Sequence, residues 1–186
     1  RLIMTRVTLQ TLATAPEESK TYLENARRSS GFIPNLLLAL SNSPQALQTY
    51  ITVGAINNNN SLSAAERETV QLIAATVHGC GFCVAGHSAT VEKKKIMPPA
   101  DLQALRKRQP LPDPHLEAIA SFAREVIATR GAVSEAAWQG FRAAGYGERQ
   151  ALDVILGVSL ATLCNFANSL AQTPLNTELS PWAWSD

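Results

Sequence analysis

The sequence has few aromatic residues and almost no net charge, and each shortage excludes a class of protein. Aromatic residues are 6% of the 186 residues, whereas hydrophobic residues together are 46%. Alanine and leucine, both strong helix formers, must therefore supply most of the buried surface. The formal net charge is +1 and no long basic run occurs, so nothing indicates nucleic acid or an anionic membrane as a partner.

The sequence shows no convincing β-strand alternation, and we expect neither a run of membrane-span length nor a signal peptide. Three cysteines are too few for the disulfide framework of a small secreted protein, and two of them form a Cys-x-x-Cys pair. A pair of this kind is typical of a cytosolic redox or metal motif. We therefore predict an all-α, cytoplasmic protein.

Helix start and stop signals divide the chain into short segments. We predict one all-helical domain over residues 1–186, with a flexible arm at about 1–15 and a tail at about 175–186. The predicted helices cover about 16–28, 34–40, 44–56, 64–78, 81–95, 100–108, 114–130, 134–144 and 148–171. The last of these is almost continuously apolar from Val154 to Leu163, which indicates burial on more than one side.

The stretch from Glu68 to His87 concentrates the chain's reactive side chains. Ser63 and Glu66 form a capping-box pattern, so a helix is expected to begin near Ala64. Gly79 and Gly81 indicate a break, and a second helix is expected to begin near Cys80.

Cys80, Cys83 and His87 are spaced i, i+3 and i+7, which places them on one face of the second helix. Glu68 precedes the break by about as many residues as His87 follows it. An antiparallel hairpin of the two helices would therefore bring the carboxylate beside the imidazole. This arrangement suits thiol redox chemistry, because a helix N-terminus and a nearby imidazolium both lower a thiol pKa.

Two other interpretations of the pair compete with redox chemistry. His78, Cys80, Cys83 and His87 offer four ligands for zinc, although both histidines lie unusually close to the thiols for a structural finger. Two cysteines in a helix can also be buried small hydrophobes. We favour redox chemistry because His87 shares the face of the thiols, and we expect neither a metal nor a cofactor.

The segment resembles a known family. Glu68, Cys80-Gly-Phe-Cys83 and His87 are similar to the E-x11-C-x-x-C-x3-H signature of alkylhydroperoxidase D-like proteins, in the carboxymuconolactone decarboxylase superfamily. The upstream segment GFIPNLLLALSNSP resembles the G-x-x-P-N segment of peroxidase-related members. The resemblance covers roughly residues 31–174. One departure is Phe82, which stands where the well-studied peroxidases carry a histidine.

The resemblance implies an AhpD-like helical bundle that acts as an antioxidant thiol peroxidase. It implies that Cys83 attacks the hydroperoxide, that Cys80 resolves the sulfenic acid to a disulfide, and that His87, held by Glu68, relays protons. We accordingly expect the pKa of Cys83 to lie below the roughly 8.5 of a free cysteine. The implied partners are a hydroperoxide substrate, a separate dithiol reductant and copies of the same chain, as a trimer or hexamer.

Two alternative functions remain at this point. One is a decarboxylase or lactone-handling enzyme of the same superfamily, which would not need both thiols. The other is a non-catalytic helical oligomer or redox-sensing module. Outside the motif, we expect Cys164 to be inert packing, His115 to lie at the surface, and Trp182 and Trp184 to act as packing or interface anchors.

Overall fold

The computed structural model describes residues 5–185, and in this range the chain forms α-helices and one short 3-10 helix, with no strand. The all-α prediction is therefore confirmed. The elements are α1 (Glu17–Ser30), α2 (Asn35–Leu40), α3 (Pro44–Asn57), α4 (Ala64–Val77), α5 (Gly81–Lys94), α6 (Pro99–Arg106), α7 (Pro114–Thr129), α8 (Glu135–Ala143), α9 (Glu148–Ala171) and the 3-10 helix Thr177–Trp182.

The capping signals in the sequence set the ends of several helices. The Ser63 side chain accepts the Glu66 N–H while the Glu66 carboxylate accepts the Ser63 N–H, which is the predicted capping box of α4. Asp113 caps α7 through the N–H groups of His115 and Leu116. Helix α9 has the predicted bounds because Pro174 follows it closely.

Helix α4 lies at the centre of the fold. It packs against α5, α6, α7 and α9, and every residue from Thr69 to Thr76 is buried. Its apolar positions, among them Val70, Leu72 and Ile73, belong to the main core cluster. A helix enclosed on all sides is a rigid support, so side chains at its ends are held in fixed positions.

Helix α9 is long and apolar enough to cross a membrane by length and composition, with a mean hydropathy of 1.6 over its best window. The expectation that no stretch reaches this length is thus wrong for these residues. In the structure, however, α9 packs against α2, α3, α4, α5 and α7, and the core helix of a soluble protein passes the same test. Of the window, 44% is buried within the fold, while Leu152, Phe166 and Leu170 of the same helix are exposed.

Both ends of the described chain contact the helical body. The Arg6 N–H donates to Ala171 O and the Gln10 N–H donates to Leu38 O, at 3.1 and 3.3 Å. The 3-10 helix packs on α5. Residues 1–4 of the predicted arm and residue 186 of the predicted tail lie outside the described residues.

Candidate active site

The turn between α4 and α5 positions the cysteine pair. Gly79 follows the C-cap His78 with a φ of 67°, a left-handed conformation that glycine adopts without strain. The Cys80 N–H then donates to Ala75 O at 2.8 Å, and α5 begins at Gly81. Cys80 is therefore the N-cap residue of α5.

Glu68 and His87 meet across the α4–α5 hairpin. The His87 Nδ1 atom lies 2.7 Å from Glu68 Oε2, and the two side chains are 31% and 17% exposed. This is the contact that the spacing about the turn predicts. The carboxylate accepts the Nδ1 proton, which leaves Nε2 of the ring available for a second partner.

The two cysteines lie at the start of α5 and both are buried. The Cys80 sulfur accepts the backbone N–H of Cys83 at 3.4 Å, in the position of an N-cap acceptor. Unpaired N–H groups at a helix N-terminus favour negative charge. The local structure therefore stabilises a thiolate on Cys80 in particular.

The pKa values of the two thiols are shifted in opposite directions. The pKa of Cys80 is lowered to about 7, first by the hydrogen bond from the Cys83 side chain, against burial, and then by the Cys83 N–H, Asn168 and the charge of His87. The pKa of Cys83 is raised, first because its thiol hydrogen-bonds to Cys80 and then by burial. The expectation of a lowered pKa at Cys83 is therefore wrong for the reduced pair. The hydrogen bonds and the directions of both pKa shifts favour the negative charge on Cys80, which caps the helix.

The pKa of His87 is shifted upward, which is the direction that a proton donor requires. Burial of the ring opposes its charged form, but the charge and hydrogen bond of Glu68, together with Cys80, raise the pKa of His87 overall. The charge of His87 favours the Cys80 thiolate, and the thiolate favours the imidazolium. The two groups are therefore coupled electrostatically.

Helix α9 contributes polar side chains that sequence reasoning missed. The Asn168 Nδ2 atom lies 3.3 Å from Cys83 Sγ and 3.8 Å from Cys80 Sγ. Asn165 also hydrogen-bonds to Cys83 and lowers its pKa. Both asparagines are buried. Their sequence signal is two amides three residues apart within an apolar helix, a place where unbonded amides are costly.

Two further side chains surround the pair. Burial is the largest cause of the raised pKa of Tyr50, on α3. The charges of Cys164, Cys83 and Glu68 raise this pKa further. Burial, followed by the charge of Cys80, raises the pKa of Cys164 to about 12, so this third thiol stays protonated. No sequence pattern connects either residue to the motif, since they come from α3 and α9.

Phe82 and His78 do not supply the histidine that the family pattern places before the second cysteine. Phe82 is partly buried against the core and has no proton to relay. The His78 Nδ1–H donates to Asn165 Oδ1 at 3.0 Å, so His78 reaches the sulfurs only through an amide. Within residues 5–185, no three His, Cys, Asp or Glu side chains are arranged to hold a metal ion.

The C-terminal segment packs against the first turn of α5. A Cβ atom on Gly81 would lie 3.0 Å from Trp184 O, so only glycine fits there without a shift. The Trp184 Nε1–H donates to Arg106 O at 2.8 Å, while Arg106 donates to Trp182 O and Ser88 Oγ. The two tryptophans therefore act as packing anchors beside the cysteine pair.

Comparison with known proteins agrees with this geometry. Residues 44–125 match the model of the carboxymuconolactone decarboxylase family, a segment that contains Glu68, Cys80, Cys83 and His87. The resemblance found in the motif is confirmed. No curated protein matches the sequence significantly.

Solved structures share the fold over nearly the whole chain. An alkylhydroperoxidase AhpD core, an uncharacterized peroxidase-related protein from Ralstonia eutropha JMP134, is 22% identical with a TM-score of 0.81, and the match covers 96% of each chain. An uncharacterized peroxidase-related protein from Silicibacter sp. TM1040 is 22% identical with a TM-score of 0.77, covering 94% of this chain and 93% of the other.

A third similar structure is a cysteine-to-alanine variant of the debrominase Bmp8 in complex with 2,3,4-tribromopyrrole. It is 13% identical with a TM-score of 0.77, and the match covers 96% of each chain. At these identities the likenesses establish the AhpD-like fold, and the chemistry has to be argued from the residues of this chain.

Proposed function

We propose that this chain is a thiol-dependent peroxidase that reduces hydroperoxides. It has an AhpD-like fold, and the segment that matches the carboxymuconolactone decarboxylase family carries all four motif residues. The observation that carries the proposal is the Cys80 sulfur at the N-cap of α5, with its pKa lowered to about 7. The Glu68–His87 pair supplies the proton. A stabilised thiolate beside a proton donor is what cleavage of an O–O bond requires.

The first step makes a sulfenic acid. The Cys80 thiolate attacks the hydroxyl oxygen of the hydroperoxide, so that an S–O bond forms and the O–O bond breaks. The departing alkoxide takes a proton from the His87 imidazolium and leaves as an alcohol. The sulfur has lost two electrons, and the peroxide has gained them.

The second step closes the disulfide. The Cys83 thiol, already hydrogen-bonded to Cys80, attacks the sulfenic sulfur and releases water, with its own proton leaving on the oxygen. A separate dithiol reductant then reduces the disulfide by thiol–disulfide exchange and is itself oxidised. His87 recovers its proton from solvent.

This order of sulfurs is the reverse of the one that the family resemblance implies. The thiolate is the nucleophile, and the geometry favours the thiolate on Cys80. The resemblance favours attack by Cys83. Both orders give the same disulfide, so only a trap for the intermediate distinguishes them.

The test combines turnover with trapping. Wild-type protein is expected to consume hydroperoxide with a dithiol donor, whereas Cys80→Ser and Cys83→Ser do not turn over. After one equivalent of peroxide, Cys83→Ser should carry a dimedone-trapped sulfenic acid at Cys80. Cys164→Ser is the matched control and should behave as wild type, because its thiol stays protonated.

Each contrary result is informative. Trapping at Cys83 in Cys80→Ser, without trapping at Cys80 in Cys83→Ser, would restore the order implied by the family. A pair that oxidises once but does not turn over with any dithiol donor would indicate the redox-sensing module. Full activity of both serine variants on a lactone acid would indicate the decarboxylase-type enzyme.

Copies of this chain are proposed as a further partner. Leu152, Phe166 and Leu170 on α9 are 68%, 57% and 62% exposed, more apolar surface than scattered single residues explain. We propose a cytoplasmic homo-oligomer, trimer or hexamer, that uses this face of α9.

A further inference from the structure

Asn168 is a buried amide of which, within residues 5–185, only one polar atom has a hydrogen-bond partner. The residue is 5% exposed. Its Nδ2 atom faces both sulfurs of the pair, whereas its Oδ1 atom is buried and has no hydrogen-bond partner among the described residues. Leaving a buried acceptor unpaired is costly, so this oxygen calls for an explanation.

The orientation of the amide follows from the charge on the pair. An amide NH2 group donates to a thiolate, whereas an amide oxygen facing a thiolate would be repelled. The hydrogen bond from Asn168 is one of the causes that lower the pKa of Cys80. The thiolate thus fixes Nδ2 on the sulfurs, and Oδ1 is left without a protein donor as a consequence.

The neighbouring amide, Asn165, also directs its NH2 group to the sulfurs, but its oxygen has a hydrogen-bond partner. Asn165 is 1% exposed, and its Oδ1 atom lies 3.0 Å from the Nδ1 atom of His78. A ring N–H donated by His78 satisfies that oxygen and leaves the Asn165 NH2 group for Cys83. Both amides of α9 therefore turn their donors to the sulfurs, but only Asn168 retains an unpaired buried acceptor.

A hydroperoxide supplies the donor that Asn168 Oδ1 lacks. Its O–H group lies on the oxygen that the sulfur attacks, and the hydrogen stays on this oxygen when it becomes the hydroxyl of the sulfenic acid. Oδ1 is bonded to the same carbon as Nδ2, which lies 3.3 Å from Cys83 Sγ and 3.8 Å from Cys80 Sγ, so it is within reach of an O–H at the sulfurs both before and after transfer. Such a contact holds the reacting oxygen near the nucleophile, which is the main requirement for a fast displacement.

We propose that Asn168 is a further catalytic residue, which stabilises the thiolate through Nδ2 and accepts the O–H of the hydroperoxide, and then of the sulfenic acid, through Oδ1. This inference rests on the proposed peroxidase function. It gives one side chain two roles, which are to stabilise the charge on sulfur and to position the reacting oxygen.

The experiment separates these two roles in Asn168→Leu, which keeps similar volume and removes both polar atoms. Iodoacetamide alkylation measured against pH reports the thiolate alone. Sulfenic acid formation with hydrogen peroxide reports the thiolate and the oxygen contact together. We expect the alkylation profile of Asn168→Leu to shift to higher pH than that of wild type.

The decisive comparison is made at the same pH near neutrality for both variants, because His87 must keep the proton that it donates, and each rate is divided by the thiolate fraction that the alkylation profile gives at that pH. After this division, alkylation of Asn168→Leu should match wild type, whereas its reaction with peroxide should stay about tenfold slower, the value of one hydrogen bond to the reacting group. Ser169→Ala, an exposed neighbour on α9, is the matched control and should match wild type in both assays. Asn168→Ala is the second variant, and circular dichroism checks the helical fold of each.

Equal peroxide rates per thiolate in the two variants would overturn the oxygen contact and leave a residue that acts on the thiolate alone. An unshifted alkylation profile would overturn the thiolate role. If wild type fails to react with peroxide while Asn168→Leu still shifts the alkylation profile, the proposed peroxidase function fails and the oxygen contact fails with it, but the thiolate role stands.

Discussion

The Nδ1 atom of His87 lies 2.7 Å from Oε2 of Glu68, and the two residues belong to adjacent helices joined at Gly79. The contact places a carboxylate behind an imidazole whose charge acts on the Cys80 sulfur. A carboxylate in this position fixes the ring and favours its protonated form. In the proposed reaction this pair supplies the proton, and the two thiols supply the electrons.

The first prediction concerns this pair. Glu68→Gln removes the charge while it keeps the volume, so the pKa of His87 should fall and the imidazolium should become scarcer near neutral pH. We expect kcat/KM for hydroperoxide to fall about 10- to 100-fold, less than the roughly 100- to 10,000-fold for the complete loss of a general acid, because His87 itself remains. Steady-state kinetics and circular dichroism measure activity and fold. Glu17→Gln, at an exposed position on α1, is the matched control, and equal rates in the two variants would contradict the role of Glu68.

The second prediction is the pH dependence of the reaction. The pKa of Cys80 is lowered to about 7, so the thiolate is lost as the pH falls through about 7. The rate of sulfenic acid formation should rise with pH across this range and fall again at higher pH, where His87 loses the proton that it donates. Stopped-flow measurement of the oxidation of wild type gives the profile, because the Cys83 side chain donates the hydrogen bond that lowers the Cys80 pKa most. A midpoint near that of a free cysteine, about 8.5, would show that neither this hydrogen bond nor the helix N-terminus stabilises the thiolate.

The third prediction concerns Phe82. Phe82→His restores the histidine that the well-studied peroxidases carry before the second cysteine, and Phe82 itself supplies no proton. We expect faster turnover of hydroperoxide, because a second donor can protonate the leaving alkoxide. Phe82→Leu serves as the control for the loss of the aromatic ring. Phe82→His with a rate no higher than that of Phe82→Leu would show that the single Glu68–His87 pair is sufficient.

The fourth prediction concerns stability. Burial opposes the charge of Glu66, but the hydrogen bonds from Tyr146 and Ser63 lower its pKa overall. The stability that this carboxylate contributes is present above its unfolded pKa and is lost as pH falls through its folded pKa. Tyr146→Phe leaves Glu66 without its 2.6 Å partner, and should lower the free energy of unfolding by about 1–3 kcal/mol near neutral pH. Denaturant titration at pH 7 and at pH 3 should show a smaller difference at the lower pH.

The fifth prediction is assembly through α9. Replacing Leu152, Phe166 and Leu170 together by serine removes the exposed apolar face, so a trimeric or hexameric wild type should become monomeric. Light scattering at micromolar concentration measures the mass. Ala136→Ser, on an exposed part of α8, is the control substitution. A monomeric wild type would contradict the prediction.

Local patterns in the sequence were sufficient to predict the helices and one contact of the site. The capping box at Ser63, the break at Gly79 and the proline after α9 each act within a few residues, so the chain itself specifies where helices begin and end. The Glu68–His87 contact follows from the same local information, because both residues lie within one hairpin and are equally far from its turn.

The tertiary structure alone decided which sulfur carries the charge and what surrounds it. Asn168 lies 85 residues from Cys83 in the chain, and Tyr50 comes from another helix, so no local pattern places them at the pair. The sequence suggested a lowered pKa for Cys83 because His87 is one turn away from it. The fold reverses this, since Cys80 caps the helix and receives the hydrogen bonds, and a thiol pKa depends on the burial and donors that only packing brings together.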